Sequence, residues 1–222
     1  QDLHAKAAAM ISTDQIMGTI IAGGQATRMN KQNKALKLLG DKSLTEHIAG
    51  RFAPQVNQLI INANRDQQQF AAIGNRISHQ PYQVVQDVQD LGAGPLAGLL
   101  QSMLWARKHD YPYLASVAGD TPFFPTDLVA RLAASSESGD RIVIARSQGF
   151  PQPVFGFWPT RLTDDLNQWL SKGESNKVMA WVRTHTHDFV DFDQTDQIDP
   201  FFNINTPEDL SLAESILEAE AV

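Results

Sequence analysis

The run Ile20-Ile21-Ala22-Gly23-Gly24-Gln25-Ala26-Thr27-Arg28-Met29-Asn30-Lys31-Gln32-Asn33-Lys34 sets a short apolar stretch against two glycines and then against cations. Glycine has no Cβ, so the backbone N–H groups at Gly23 and Gly24 can come close to an anion, and Arg28 and Lys34 add positive charge on the loop beyond. That chemistry suits a phosphate. A plain Gly-Gly turn opening onto a basic, solvated loop uses the same residues. The spacing fits neither G-x-x-x-x-G-K-[ST] nor G-x-G-x-x-G. A phosphate site here would be of a third kind, with its lysine ten residues after the second glycine.

Asp120, in Ala118-Gly119-Asp120-Thr121-Pro122, follows an apolar run and is followed by a proline that cannot continue a ladder. A carboxylate there can hold Mg²⁺, which takes one or two carboxylates together with substrate phosphates, or it can simply begin a turn. Ile61-Asn62-Ala63-Asn64-Arg65 offers amides and a guanidinium suited to a base edge, a ribose hydroxyl or a phosphate. The alternative for Asn64-Arg65-Asp66 is a loop into a helix capped by Asp66. Asp87 can accept hydrogen bonds from a base or sugar, or be a solvated loop carboxylate. Gly94, in Leu91-Gly92-Ala93-Gly94-Pro95-Leu96-Ala97-Gly98, opens a helix whose free amides favour a nucleotide, although close packing on a strand also calls for small residues. Asn203 and Asn205 alternate along an extended stretch and so point the same way. One of them could complete a metal site with Asp120.

These residues need strands to place them. Candidate strands are 17–22, 58–63, 82–86, 113–118, 141–145, 154–158 and 188–192, alternating with amphipathic segments as in βα units. Ser43-Leu44-Thr45-Glu46 is a capping box that starts a helix running to about Ala53. Leu96, Leu99, Leu100, Met103 and Leu104 mark a helix over 94–108. Thr206-Pro207-Glu208-Asp209 reads as an N-cap, a first-turn proline and carboxylates at a helix start. In such sheets ligands gather beyond the carboxyl ends of the strands, where every candidate above falls. His185-Thr186-His187 would place two imidazoles on one strand face, without an obvious third metal ligand.

The chain has 222 residues, 42% of them apolar, enough to bury about 70% of the surface of its unfolded form. No linker divides it, so one domain over 16–222 is expected, with residues 1–15 as a disordered or non-native tail. The net charge of −7 argues against a general nucleic-acid binder. The absence of cysteine excludes disulfides and thiolate chemistry. No apolar run approaches the roughly 20 residues that span a bilayer, and a cytoplasmic location away from membranes is expected.

In order along the chain, Ala22-Gly23-Gly24…Arg28-Met29…Lys34, Asn62-Ala63-Asn64-Arg65, Gly94-Pro95-Leu96-Ala97-Gly98, Asp120-Thr121-Pro122 and Asn203-Ile204-Asn205-Thr206-Pro207-Glu208-Asp209-Leu210 closely resemble the MobA family of molybdenum cofactor guanylyltransferases. The resemblance spans about Gly18 to Leu217. Asn30 stands where the family signature has glycine, and asparagine is the residue after glycine that best tolerates a left-handed backbone.

The resemblance implies a three-layer α/β/α fold, with a Rossmann-like, mostly parallel sheet of the nucleotide-diphosphosugar transferase type. It also implies an Mg²⁺-dependent reaction in which the terminal phosphate of molybdopterin, with or without molybdenum, attacks the α-phosphorus of GTP and pyrophosphate departs. Ile21, Ala22 and Gly23 would then meet GTP through the backbone, beside Gly24 and Gly94. Lys34 would meet the phosphates, with Arg28 nearby. Asn62 and Asp87 would meet the guanosine, and Asp120 both nucleotide and Mg²⁺. Gly156 and the run Gly173 to Met179 resemble the family's pterin side. Transient contact with cofactor-synthesis proteins or molybdoenzymes fits the same picture. A cytidylyltransferase on the same pterin, a sugar-phosphate nucleotidyltransferase and a non-catalytic carrier of the molybdenum cofactor remain open as other readings.

Overall fold

Strand β1 (Ile16–Ile21) alternates its side chains between two apolar layers, Ile16 and Ile20 entering one and Met17 the other, so both faces of this strand must be covered. The computed structural model describes residues 10–23, 33–79, 81–87, 94–192 and 198–220. Ahead of β1, Thr13–Gln15 form a 3₁₀ turn and Ile11 packs against the core. After Lys34 come a small hairpin of β2 (Leu38–Leu39) and β3 (Lys42–Ser43), then α1 (Leu44–Phe52), β4 (Gln58–Asn62), α2 (Gln67–Ile77) and β5 (Gln83–Val85). The second half contains α3 (Pro95–Lys108), β6 (Tyr113–Ala118), α4 (Leu128–Ser135), β7 (Ile142–Ser147) and β8 (Phe150–Pro159). These are followed by α5 (Thr163–Ser171), α6 (Val178–Val182), β9 (His187–Asp191) and α7 (Pro207–Glu220).

Seven of these strands form one sheet in the order β5-β4-β1-β6-β8-β7-β9. All neighbours are parallel except β8, which runs antiparallel to both β6 and β7. Side chains of α1, α2, α4 and α7 fill the layer on one face, and those of α3, α5 and α6 the layer on the other. The expected three-layer α/β/α fold is therefore present. Each fully buried Leu, Ile or Phe in these layers contributes about 1.5–3 kcal/mol relative to exposure.

Register is what matters for the site. Ile21 pairs with Asn62 on one side and Ala118 on the other, and Asn62 pairs with Val85. The last residues of four parallel strands thus stand in one row at the carboxyl edge. The ladder runs one step further, with Ala22 N–H donating to Asn62 O, Ala63 N–H to Val85 O and Gly119 N–H to Ile21 O at 2.9, 2.9 and 3.0 Å. Beyond that row lie Gly23, Asp87 and Asp120.

The capping box at Ser43 and Glu46 starts α1 as expected, and Pro54 falls in the 3₁₀ turn that follows it. Three details differ from the sequence reading. Asp66 occupies the N-cap position of α2 with φ of +55°, but its side chain makes no capping bond. The backbone there is left-handed, and α2 is held instead by its buried Phe70 and Ile73. The strand predicted over 154–158 extends to 150–159 and is reversed, because its buried residues fit a strand of either direction. His185 and His187 do not share a strand face, since β9 begins at His187 and His185 packs against the Trp181 ring.

Candidate active site

Lys34 sits at the start of a 3₁₀ turn, 34–36, which two contacts fix. The Asn33 side chain accepts from Ala35 N–H at 3.1 Å, and Ala35 O accepts from the Thr45 hydroxyl, in the first turn of α1, at 2.7 Å. From this turn the ammonium reaches across to the far side of the row. It donates to Asp120 Oδ2 at 2.7 Å, to Asn203 Oδ1 at 3.0 Å and to Asn205 Oδ1.

The loop carrying the two asparagines is clipped to the strand end by Ile204 N–H donating to Asp120 O at 2.9 Å. Ile204 is buried in the core, so its two neighbours turn the opposite way, toward Lys34. Asp209 in the first turn of α7 finishes the arrangement by accepting from the backbone N–H groups of Asn205 and Thr206, each at 2.8 Å. Those two bonds, with help from the Lys34 charge, hold the Asp209 carboxyl below its ordinary range.

On the opposite wall Asp87 is bound by two amides. Asn62 Nδ2 donates to its Oδ1 at 2.9 Å and Asn64 Nδ2 to its Oδ2 at 2.7 Å, while Asp87 N–H returns a bond to Asn64 Oδ1 at 2.8 Å. Both walls open onto one cleft of about 690 Å³, within the usual range for small-molecule sites. Ile21, Ala22, Gly23, Lys34, Asn62 and Asp87 all line it, as do Gly94, Asp120, Asn203 and Asn205. Gly94 has φ of +133°, a conformation that favours glycine, and so opens α3 at the cleft rim.

Gly24 and Arg28, with Asn30, lie outside the described residues. Gly156 is buried against the Trp158 indole rather than in the cleft, and Val154, two residues earlier on β8, lines it instead. The run from Gly173 to Met179 passes beside Gly94, where a side chain at position 94 would bring its Cβ within 4.0 Å of Asn176 O. Asn33 and Pro95 also line the cleft and carried no signal of their own, one being a turn residue and the other a helix-starting proline.

The oxygens gathered on the Lys34 ammonium are one carboxylate and two amides, a hard donor set of the kind Mg²⁺ accepts. Among the described residues no group of three His, Cys, Asp or Glu is placed to hold a metal. A cation at Asp120 would therefore complete its shell from amide oxygens, water and the ligand's own phosphates.

A mostly parallel sheet with a cleft beyond its carboxyl edge, lined by a lysine, a carboxylate and small residues, is the arrangement of an α/β nucleotide-binding fold. Two solved structures share it. Molybdopterin-guanine dinucleotide biosynthesis protein A from Archaeoglobus fulgidus matches with a TM-score of 0.69 at 21% identity, over 91% of this chain and 99% of that one. 4-Diphosphocytidyl-2C-methyl-D-erythritol synthase from Anaerococcus prevotii matches with a TM-score of 0.71 at 13% identity, over 95% and 99%.

In sequence, residues 18–188 match the MobA-like NTP transferase domain. A molybdenum cofactor guanylyltransferase of Mesorhizobium japonicum is 38% identical over 208 residues, covering 92% of this chain and 97% of its own length. The chain belongs to the family of MobA-like NTP transferases, as its motifs lead one to expect.

Proposed function

We propose that this chain transfers GMP from GTP to the terminal phosphate of molybdopterin, with or without bound molybdenum, releasing pyrophosphate and forming the molybdopterin guanine dinucleotide. The observation that carries the reading is one cleft with Lys34, Asp120 and Asn205 on one wall and Asn62 with Asp87 on the other. The Mesorhizobium japonicum relative, similar over 92% of this chain, is a guanylyltransferase by name and supports the same substrates.

The chemistry asks little of side chains. An oxygen of the molybdopterin phosphate forms a bond to the α-phosphorus, and the bond from that phosphorus to the bridging oxygen breaks in line. The nucleophile is already an anion, so no general base is required, and catalysis consists of positioning and charge neutralisation. Lys34, released from Asp120, neutralises triphosphate charge. In this reading Ile21, Ala22, Gly23 and Gly24 serve the phosphates through their backbone, Arg28 adds positive charge to them, and Asn62, Asp87 and Gly94 serve the nucleoside. Asp120 and Asn205 would hold Mg²⁺, which when bound adds positive charge at the triphosphate and favours in-line geometry. The reaction runs in the cytoplasm, within a single domain over 16–222, and the product passes on through transient contacts with cofactor-synthesis proteins or molybdoenzymes.

The test is to incubate the protein with molybdopterin, Mg²⁺ and either GTP or CTP, then weigh the product by mass spectrometry and measure pyrophosphate. The guanine dinucleotide with one pyrophosphate per product is the expected result. A cytosine product from CTP alone would move the assignment to a cytidylyltransferase, a reading the shared fold of the cytidyl enzyme keeps in view. Cofactor binding without pyrophosphate would leave a carrier.

A further inference from the structure

At the end of β4 the cleft wall contains an amide that is tied on one side only. Asn62 is 1% exposed. Its Nδ2 donates to Val85 O at 3.3 Å and to Asp87 Oδ1 at 2.9 Å, which uses both N–H bonds and sets which way the amide faces. Its Oδ1 has no hydrogen-bond partner among the described residues. A buried acceptor left unpaired carries a penalty in the free protein that a ligand donor would remove.

That oxygen lies between two glycines. A Cβ on Gly98 would stand 2.2 Å from Oδ1 and 2.9 Å from Cγ of Asn62, and a Cβ on Gly23 would stand 3.2 Å from the same oxygen. An asparagine at the surface could swing aside, but this one is buried and anchored at Val85 and Asp87, so any shift breaks those bonds. Helix α3 is also held at this height. Ser102 Oγ donates to Gly98 O at 2.8 Å and shares a 2.8 Å hydrogen bond with Thr19 Oγ1 of β1, with both hydroxyls buried.

We infer that Gly98 is a positioning residue for nucleotide selection: the slot left by its missing side chain keeps the Asn62 amide turned with its carbonyl oxygen on the Gly23 side of the cleft, as an acceptor for an N–H of the base or an O–H of the ribose. Gly98 acts through Asn62. The inference rests on the nucleotide reading of the cleft and adds to it the polarity of one contact. The ligand must bring a hydrogen-bond donor to this point.

The test measures GTP binding by titration calorimetry for the full chain and for Gly98→Ala, Asn62→Ala and the double variant. Wild-type protein that fails to bind GTP would refute the nucleotide reading itself. If wild type binds, Gly98→Ala is expected to weaken GTP binding about tenfold, roughly the loss of one buried hydrogen bond. KM for GTP should rise while kcat at saturating GTP stays close to wild type. In the Asn62→Ala background the same glycine change should cost nothing further. GTP affinity unchanged in Gly98→Ala overturns the inference, as does a full further loss in the double variant. Should Gly98→Ala not fold, comparing Asn62→Ala with the double variant decides alone, because the obstructing amide is gone from both. Inosine triphosphate, N1-methyl-GTP, 2′-deoxy-GTP and 3′-deoxy-GTP each remove one candidate donor, the 2-amino group, the N1–H, the 2′-hydroxyl or the 3′-hydroxyl. The Gly98→Ala penalty should shrink with whichever lacks the donor, and an equal penalty with GTP and all four analogues counts against the acceptor role.

Discussion

The Lys34 ammonium donates to the Asp120 carboxylate at 2.7 Å, although the two are 86 positions apart in sequence. The contact joins the turn after the glycine-rich loop to the end of β6, and Asn203 and Asn205 from near the C-terminus close around it. Three separate segments thus meet at one cation. Lys34 occupies the point on which these oxygens converge, so a divalent metal at Asp120 would have to displace its ammonium.

Asp120→Ala is expected to fold and to lose about two to four decades in the rate of pyrophosphate release. That loss corresponds to several kcal/mol of metal-dependent stabilisation at about 1.4 kcal/mol per decade. Circular dichroism checks the fold and a coupled pyrophosphate assay checks the rate. Turnover near that of wild type would show that another residue holds the metal.

Lys34→Ala should raise the affinity of the nucleotide-free protein for Mn²⁺ on the order of tenfold, because the competing ammonium is gone. Free Mn²⁺ can be counted by electron paramagnetic resonance. The variant should also turn over more slowly with GTP. Its stability should change by no more than about 1–2 kcal/mol, since the two side chains are partly buried, 30% and 26% exposed, and water still reaches the pair. Identical Mn²⁺ affinity with and without Lys34 would mean that the lysine does not obstruct the metal.

Asp209→Ala removes the acceptor for the Asn205 and Thr206 N–H groups and loosens the loop that aims Asn205 at the cleft. The Mg²⁺ concentration needed for half-maximal rate should rise more than KM for molybdopterin does. The pH dependence has a definite sign. The Asp209 carboxyl is held below its ordinary value of 3.8, so its bonds are present above that pH and are lost as the pH falls through the lowered value. Titrating the carboxyl by NMR checks the direction, and a value at or above 3.8 would contradict it.

Glu46 offers a stability test away from the cleft. Burial pushes its carboxyl up, but hydrogen bonds from Arg76 and from the N–H and hydroxyl of Ser43 outweigh that push and hold it below its ordinary value of 4.5. The charged form is therefore favoured by folding, and its contribution is complete above 4.5 and disappears as acid protonates it. Glu46→Gln should cost about 1 kcal/mol at neutral pH through the weakened capping box. Melting temperatures of the two proteins should converge as the pH falls below 4.5 and through the lowered value. A gap that persists or widens in acid would refute this account.

Much of this was legible in the residues because local rules and tertiary structure agree. The apolar run before Gly23 became an interior strand of the sheet, Ser43 and Glu46 capped α1, and Thr206 with Asp209 capped α7. Alternation along Asn203-Ile204-Asn205 was enough to expect two amides on one side, and burial of Ile204 makes it so. The direction of β8 was not legible, since Phe155 and Phe157 are buried and suit a strand running either way. Nor did sequence give the bonds between Asn62, Asn64 and Asp87, which depend on β4 and β5 ending level, a matter of register. Gly98 stood out only as a small residue in a helix start, because the amide that requires it comes 36 positions earlier on another strand.

The reversed strand β8 has a consequence for how this architecture can change. Its beginning, rather than its end, reaches the cleft edge beside β6, joined to β7 by a two-residue turn in which Gln148 and Gly149 both have positive φ. On the Asn62 side of the cleft, β4 passes through a short loop into α2, whose buried Phe70 and Ile73 leave little room for added residues. β8 instead begins at a hairpin tip with Phe150 exposed, and a hairpin can lengthen at little entropic cost. Added residues can therefore accumulate at that tip while the row of strand ends at the cleft stays fixed.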